Sequence, residues 1–350
     1  MIDAQEKLAA LLPKLRAADW IALDTEADSL HAYPEKLCLM QVSIDGLDVL
    51  LDTLAPVDFT PALQILRDHT LIMHGSDYDL RLLLKTFEFV PSHIFDTMLA
   101  ARLLGRHQVG LQNLVSHYLG VTLEKGPQKA DWARRPLTPR METYARHDTH
   151  YLKPLADALA AELTAKGRLD WHQEYCGEFI RNSAVIAQPD PETEWRVKGS
   201  HGLGPRGLAV LRELWRWREA EALSANRPPF FVLMPETMVA LAQAAVDEQP
   251  TQDLIPRRFS PRRRQGVTEA IAKGLASEHK PGPLKHYSRR LTEAQARRYH
   301  DYERRRNRRA TELGLDPSLI ASRATLLTLA REGEKATNGT LMKWQLELLT

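Results

Sequence analysis

Short apolar runs separated by turns occupy the first hundred residues, and their spacing predicts strands alternating with helices. The runs typical of strands lie at 20–25, 36–44, 48–52, 71–74 and 94–95. Asp45-Gly46, between the second and third runs, favours a tight hairpin. Helical patterns lie between and after these runs at 61–69, from the expected cap Ser76 to Phe87, at 96–104 and at 110–119.

One further helix completes this part of the chain. It is predicted to begin at Thr138, with Pro139 in its first turn, and to carry Tyr144 and Asp148 before Pro154 kinks or restarts it. Three meandering strands followed by alternating helices and strands indicate a mixed sheet. The sequence therefore predicts an α/β domain that ends near residue 170.

From about residue 171 the apolar positions recur only with helical spacing, so an all-α region is expected. The stretches 222–242 and 310–330 align without gaps at an offset of 88 residues, which indicates two copies of one small helical module. The expected division is a domain at 1–170, a helical connector at 171–199, a first module at 200–280 and a second at 288–350, whose last helix is short or missing.

Composition indicates a globular chain that does not span a membrane. Of its 350 residues 43% are hydrophobic and 26% charged, and no apolar stretch approaches the roughly 20 residues that a spanning helix needs. The N-terminus lacks the basic-then-apolar pattern of a signal peptide. Cys38 lies in a strand-like run and has no metal-type spacing to Cys176, so a buried thiol in a reducing cytoplasm is expected.

The formal net charge of +2 conceals a strong asymmetry. Residues 257–309 contain 17 Lys/Arg against 5 Asp/Glu, so the remainder of the chain is acidic. An acidic body with a basic arm suits a protein that holds metal ions in one part and a polyanion in another.

Acidic residues mark the candidate chemistry. Asp24 and Glu26 end the first strand on one face, about 7 Å apart, although such a pair by itself is commonly a solvated strand end. Asp79 lies in the first turn of a helix, where a purely electrostatic role is equally open. Tyr144 and Asp148 share one helix face. Four carboxylates can bind two divalent cations for phosphodiester cleavage, and a phenol can orient the attacking water.

Three motifs in order resemble the ribonuclease D family of DEDD-type 3′–5′ exonucleases, in its tyrosine-bearing subgroup. Asp24-Thr25-Glu26 matches the first motif, His74 to Leu80 the second, and Tyr144 to Asp148 the third. The resemblance implies a ribonuclease H-like fold, with the carboxylates Asp24, Glu26, Asp79 and Asp148 holding two Mg²⁺ or Mn²⁺ ions. Tyr144 would position the water. The helical tail is similar to tandem HRDC modules, with the clearer copy at 200–275 and a second from about 289.

The resemblance also suggests where RNA is contacted. Leu30 and His31 are expected to line the slot for the terminal base, and the segment with Gln128, Trp132 and Arg135 resembles a loop near the substrate path. His147 is expected to lie on another face of its helix than Asp148, and to be structural or to face solvent. The arginines expected to contact phosphates are Arg257, Arg258, Arg262, Arg263, Arg264, Arg304 and Arg305.

The leading hypothesis is a metal-dependent 3′–5′ exoribonuclease that releases nucleoside 5′-monophosphates. The partner is expected to be RNA with a free 3′ end, with tRNA precursors implied by the resemblance. Two alternatives stay open: a single-strand DNA exonuclease in repair, and a catalytically silent nucleic-acid-binding scaffold. The silent scaffold would lack a metal carboxylate, and all four are present.

Overall fold

Two compact units make up this computed structural model, which describes residues 1–185, 188, 190–282, 291–333 and 341–350. The sheet unit comprises Met1–Ala27, Leu37–Ile186 and Arg289–Thr350. The helical unit comprises Asp28–Lys36 and Ala187–Ser288. The predicted start of the second module, at 288, falls in the stretch 283–290, outside the described residues. No helix in the described ranges is long and apolar enough to cross a membrane.

The sheet unit is built on a five-stranded mixed sheet of order β3-β2-β1-β4-β5. Its strands are β1 Ile21–Ala27, β2 Leu37–Ile44, β3 Leu47–Asp52, β4 Thr70–Met73 and β5 His93–Asp96. β1 pairs antiparallel with β2 and parallel with β4. The predicted mixed sheet is confirmed, and the hairpin between β2 and β3 turns at Asp45-Gly46, where Gly46 has a φ of +66°.

Helices cover this sheet. They are α1 Gln5–Ala17, α2 Thr60–Asp68, α3 Asp77–Phe87, α4 Thr97–Leu103, α5 Leu111–Leu119, α6 Pro139–His150, α7 Leu152–Ala165 and α8 Leu169–Ser183. The sequence reasoning missed α1, because it assigned only strands and turns to the first 55 residues. Leu8, Leu11 and Leu15 of α1 are buried at helical spacing, and Pro13 lies inside the helix. That spacing was the available signal.

The turn before α3 is held by a buried aspartate and not by the predicted cap. Ser76 makes no capping bond with its side chain. Its hydroxyl instead donates to Asp96 Oδ2 at 2.9 Å, and its backbone N–H donates to the same oxygen at 2.8 Å. Asp96 Oδ1 accepts from the N–H of Leu99 and so caps α4. Asp96 therefore joins two helix starts and fixes the first turn of α3. At α6 the expected cap forms, because Thr138 accepts from the N–H of Met141.

The two copies of the helical module repeat element by element. The first contains α9 Pro205–Ser224, α10 Pro229–Val232, α11 Pro235–Val246 and α12 Pro261–Ala276; the second contains α13 Glu293–Leu313, α14 Pro317–Ile320, α15 Arg323–Glu332 and α16 Lys343–Leu349. Pro229 and Pro317 begin matching helices, 88 residues apart. The last helix has 16 residues in the first copy and 7 in the second, so it is short, as expected.

The second copy differs from the expected separate module, because it shares a hydrophobic core with the sheet unit. Ile320, Leu329 and Trp344 are buried in the same cluster as the sheet residues. Trp344 stacks on Trp171 of α8, with ring centroids 4.7 Å apart and planes 12° from parallel. Arg168 donates to the carbonyl oxygens of Leu103 and Leu313, both at 2.8 Å. These contacts make α13–α16 part of the sheet unit.

Candidate active site

The candidate residues come from three elements of the sheet unit. β1 carries Asp24 and Glu26, α3 carries Asp79, and α6 carries Tyr144 and Asp148. The charges of Glu26, Asp79 and Asp148 all act on the Asp24 carboxyl. Electrostatic interactions of this strength need short distances in a poorly hydrated setting. The structure therefore gathers the four carboxylates around one end of β1.

Thr25, between the two carboxylates of β1, links that strand to α3. Its hydroxyl donates a buried hydrogen bond to Asp79 Oδ1. This bond orients one oxygen of Asp79 and ties the start of α3 to the centre of the sheet. Sequence reasoning missed Thr25, although its place inside the D-x-E motif was the available signal.

Burial raises the pKa of every carboxyl in the group, and repulsion from other members of the group adds to it for Asp24, Glu26 and Asp148. Burial is the largest cause for each of them. The pKa of Glu26 rises to about 9, with added repulsion from Asp148 and Asp79. The pKa of Asp148 rises to about 7 and that of Asp79 to about 6, while the Asp24 pKa is raised well above its ordinary value. Four carboxylates that resist ionisation together favour a cation among them.

Tyr144 stands between these carboxylates and the loop before α6. Its side chain is half-buried. It forms a hydrogen bond that stabilises the ionised Asp148, and the Gln128 side chain forms a second hydrogen bond with it. Burial, followed by the charges of Asp148 and Glu26, raises the pKa of the phenol. The hydroxyl therefore stays protonated at neutral pH and keeps a proton to donate.

The side chains suit divalent cations by their chemistry. All four are carboxylates, which are the hard oxygen ligands that Mg²⁺ and Mn²⁺ prefer. Asp148 Oδ2 is buried and has no hydrogen-bond partner, so this oxygen is available to bind a ligand. Within the described ranges no group of three or more Asp, Glu, His or Cys side chains is arranged closely enough to hold a metal ion. The donors are thus near one another without a completed ligand shell.

A cleft of about 630 Å³ in the sheet unit is lined by two of the candidate residues, Tyr144 and Asp148. One wall is a stripe of α6 and the residue after it, consisting of Tyr144, His147, Asp148 and Tyr151. These positions are spaced i, i+3, i+4 and i+7, so they share one helix face. The expectation that His147 lies on another face is therefore corrected, since its side chain lines the cleft. The other lining residues are 110–113, 122–126, Gln128, Pro139, Arg140 and Thr143.

Two of the residues expected to contact substrate are structural instead. Trp132 is fully buried in a cluster with Leu39 and Met141, which leaves no surface for RNA. Arg135 forms a bidentate ion pair with Asp52, with N–O distances of 2.6 and 2.7 Å. Its remaining donors bind backbone carbonyl oxygens. Both assignments are corrected, because burial and these bonds engage the groups that would recognise substrate.

The other expected substrate residues keep their accessibility. Gln128 lines the cleft. Leu30 and His31 lie in the segment Asp28–Lys36 of the helical unit, with Leu30 exposed and the His31 N–H donating to the carbonyl oxygen of Asp28.

The tail arginines divide into two groups. Several serve internal structure: Arg262 and Arg263 pair with Glu221, Arg264 donates to carbonyl oxygens of the preceding turn, Arg304 pairs with Asp301, and Arg305 donates to the last carbonyls of α16. Arg257 and Arg258 are exposed, and so are Arg262, Arg304 and Arg305. Arg258 donates to the backbone carbonyl oxygen of Phe231 at 3.0 Å, and the side chains of Phe230 and Phe231 are exposed.

Comparisons with known proteins agree with this geometry. The family model described as a 3′–5′ exonuclease matches residues 1–164, and the HRDC domain model matches residues 207–249. A ribonuclease D of Gluconacetobacter diazotrophicus is 32% identical over 79% of this chain and 72% of its own length. A ribonuclease D of Zymomonas mobilis is 36% identical over 69% of this chain and 63% of its own length.

A solved structure extends the likeness to the whole chain. The crystal structure of Escherichia coli RNase D, described as an exoribonuclease involved in structured RNA processing, superposes with a TM-score of 0.75. It is 26% identical, and the match covers 100% of this chain and 98% of that structure. The mixed sheet with its helical additions is therefore shared over the full length.

Proposed function

The chain belongs to the ribonuclease D family of 3′–5′ exoribonucleases, and we propose which residues carry its reaction and which RNA it trims. Enzymes of this family depend on divalent metal ions. We assign two ions, Mg²⁺ or Mn²⁺, to Asp24, Glu26, Asp79 and Asp148. The observation that carries this assignment is a group of four carboxylates, one buried and three partly buried, whose pKa values are all raised and of which Asp148 lines a cleft.

When bound, the ions supply an activated water and stabilise negative charge on the leaving oxygen. The chain's own residues do the rest. The cleft holds the 3′-terminal nucleotide so that its phosphate faces the carboxylates. Tyr144 donates its hydroxyl proton to Asp148, and this bond sets the direction in which the hydroxyl oxygen accepts from the water and orients it. Water adds to phosphorus and loses a proton, the bond from phosphorus to O3′ of the preceding nucleotide breaks, and that O3′ takes up a proton. The product is a nucleoside 5′-monophosphate.

The substrate that we propose is RNA with a free 3′ end, and tRNA precursors above all. Phosphate contacts supply most sequence-independent affinity for nucleic acids, and bases stack on aromatic rings. Arg257, Arg258 and the exposed side chains of Phe230 and Phe231 offer both kinds of contact on the helical unit. Arg263 and Arg264 are less suited, because their donors already hold that unit together.

The test is nucleotide release from a 3′-ended RNA by the full chain with Mg²⁺ or Mn²⁺. Asp24→Asn should lower the rate by at least about a thousandfold and leave RNA binding intact, since it removes only a charge at the proposed ions. Asp157→Asn, which changes an exposed carboxylate on α7, is the matched control. Equal release by the wild type and by Asp24→Asn would contradict the assignment.

A substrate panel addresses the biological role. Precursor tRNA, an unstructured RNA and single-stranded DNA are compared at equal concentration. The proposal expects the highest kcat/KM for precursor tRNA. A preference for single-stranded DNA would favour the repair alternative instead.

A further inference from the structure

The backbone of the loop before α6 lies directly on the ring of Tyr144. A Cβ atom built on Gly126 would come within 1.5 Å of Tyr144 Cδ2 and 2.2 Å of Cε2. These distances are far below any real contact, so no side chain fits at Gly126 while the ring keeps its place. Gly126 does not have a positive φ, so closeness to the ring and not backbone conformation demands glycine here.

The same loop touches Tyr144 at two further points. The Gln128 side chain bonds the phenol hydroxyl. The indole of Trp132 packs near the phenol ring, with centroids 6.1 Å apart. Trp132 is fully buried and its carbonyl oxygen accepts a 2.7 Å bond from Arg135, which is anchored to Asp52 of β3. The loop is therefore fixed to the sheet on one side and to the phenol on the other.

We propose that Gly126 and Gln128 are positioning residues for Tyr144. Because Gly126 has no side chain, the loop backbone can pack directly against the Tyr144 ring and hold it in place. Gln128 directs the Tyr144 hydroxyl toward Asp148. This inference rests on the proposed role of Tyr144, and it assigns Gln128 to the phenol instead of to the substrate. A misplacement of about 1 Å at a reacting group costs on the order of a hundredfold in rate. Because Gly126 and Gln128 determine the position of Tyr144, changing them should affect kcat more than KM.

The first experiment compares two Gly→Ala variants of the full chain. Gly126→Ala should lower kcat by about 10- to 100-fold, change KM by less than about threefold, and leave Mn²⁺ binding by calorimetry unchanged. Gly202→Ala is the control, since nothing lies within 4 Å of its Cβ and it is in the helical unit. Unchanged kcat for Gly126→Ala would overturn the proposal.

The second experiment is a double-mutant cycle, which stays informative if Gly126→Ala folds poorly. Gln128 is exposed, so Gln128→Leu should fold normally and lower kcat by about 3- to 10-fold. In a Tyr144→Phe background the same change should have no further effect, because the hydroxyl is gone. In a Tyr144→Ala background, Gly126→Ala should likewise add no loss.

The outcomes separate this inference from the proposed function. If Gln128→Leu lowers kcat equally with and without the hydroxyl, or acts only on KM, Gln128 contacts RNA and the inference fails. If Tyr144→Phe itself leaves kcat unchanged, the proposed role of Tyr144 fails first. A coupled loss in the cycle with normal Mn²⁺ binding supports both.

Discussion

Asparagine in place of Asp148 should abolish nucleotide release and yet make the chain more stable once divalent ions are removed. Burial, opposed by the bond from Tyr144 and reinforced by the charge of Asp79, raises the pKa of Asp148 to about 7 from an ordinary 3.8. Between these two values the folded chain binds more protons than the unfolded chain. Stability therefore falls as the pH rises through this window, and asparagine removes that cost.

The magnitude follows from the two pKa values. At pH 8 the raised pKa of Asp148 costs on the order of 4 kcal/mol of folding free energy, because each tenfold difference in proton affinity is worth about 1.4 kcal/mol. At pH 5 the folded carboxyl is already protonated while the unfolded one is mostly ionised. The advantage of Asp148→Asn then falls to on the order of 2 kcal/mol. Excess Mn²⁺ should reverse the order, since it stabilises the wild type by binding the folded state.

The assay is urea denaturation of the full chain in EDTA at pH 8 and pH 5, repeated with Mn²⁺. Asp157→Asn changes an exposed carboxylate paired with Lys153, and its effect should stay below about 1 kcal/mol at both pH values. The reasoning is refuted if Asp148→Asn is no more stable than the wild type in EDTA at pH 8. It is also refuted if the two variants behave alike.

Three further changes test other parts of the structure. Arg135→Met leaves Asp52 buried without its partner, so the free energy of unfolding should fall by about 3–5 kcal/mol while KM for RNA stays constant. A raised KM with unchanged stability would instead support a substrate role for Arg135. Trp344→Ala removes a buried ring from the shared core, so the free energy of unfolding of the sheet unit should fall by about 3–5 kcal/mol. Unchanged thermal unfolding would mean that α13–α16 do not stabilise the sheet unit. Replacing Arg257 and Arg258 by alanine should lower the slope of log K against log salt by about 1–2 in RNA titrations, and an equal slope would exclude phosphate contacts there.

The order of the elements was predictable because local patterns specify it. Alternating apolar runs marked all five strands, and Asp45-Gly46 marked the hairpin, since only a few residues adopt such a turn. The offset of 88 residues predicted the matching helices that begin at Pro229 and Pro317. Helix α1 was missed although its leucines are spaced for a helix, because the neighbouring strand pattern was extended over it.

The candidate site was predictable in its residue types and not in its contacts. Carboxylates at motif spacing named Asp24, Glu26, Asp79 and Asp148, and helical spacing placed Tyr144 beside the last of them. The same helical spacing places His147, at i+3 from Tyr144, on the cleft wall, and this was overlooked. Nothing local shows that Arg135 pairs with Asp52, because 83 residues separate them.

Sequence alone thus determined the strands, the helices other than α1, the repeat and the family, since each depends on residue type and on neighbours within a turn or a hairpin. Tertiary structure alone decided that the second helical copy shares the core of the sheet unit, and that Trp132 and Arg135 are structural. It also decided that Thr25 orients Asp79 and that Gly126 lies on the ring of Tyr144. These are contacts between segments far apart in the chain, and close packing of particular shapes selects them.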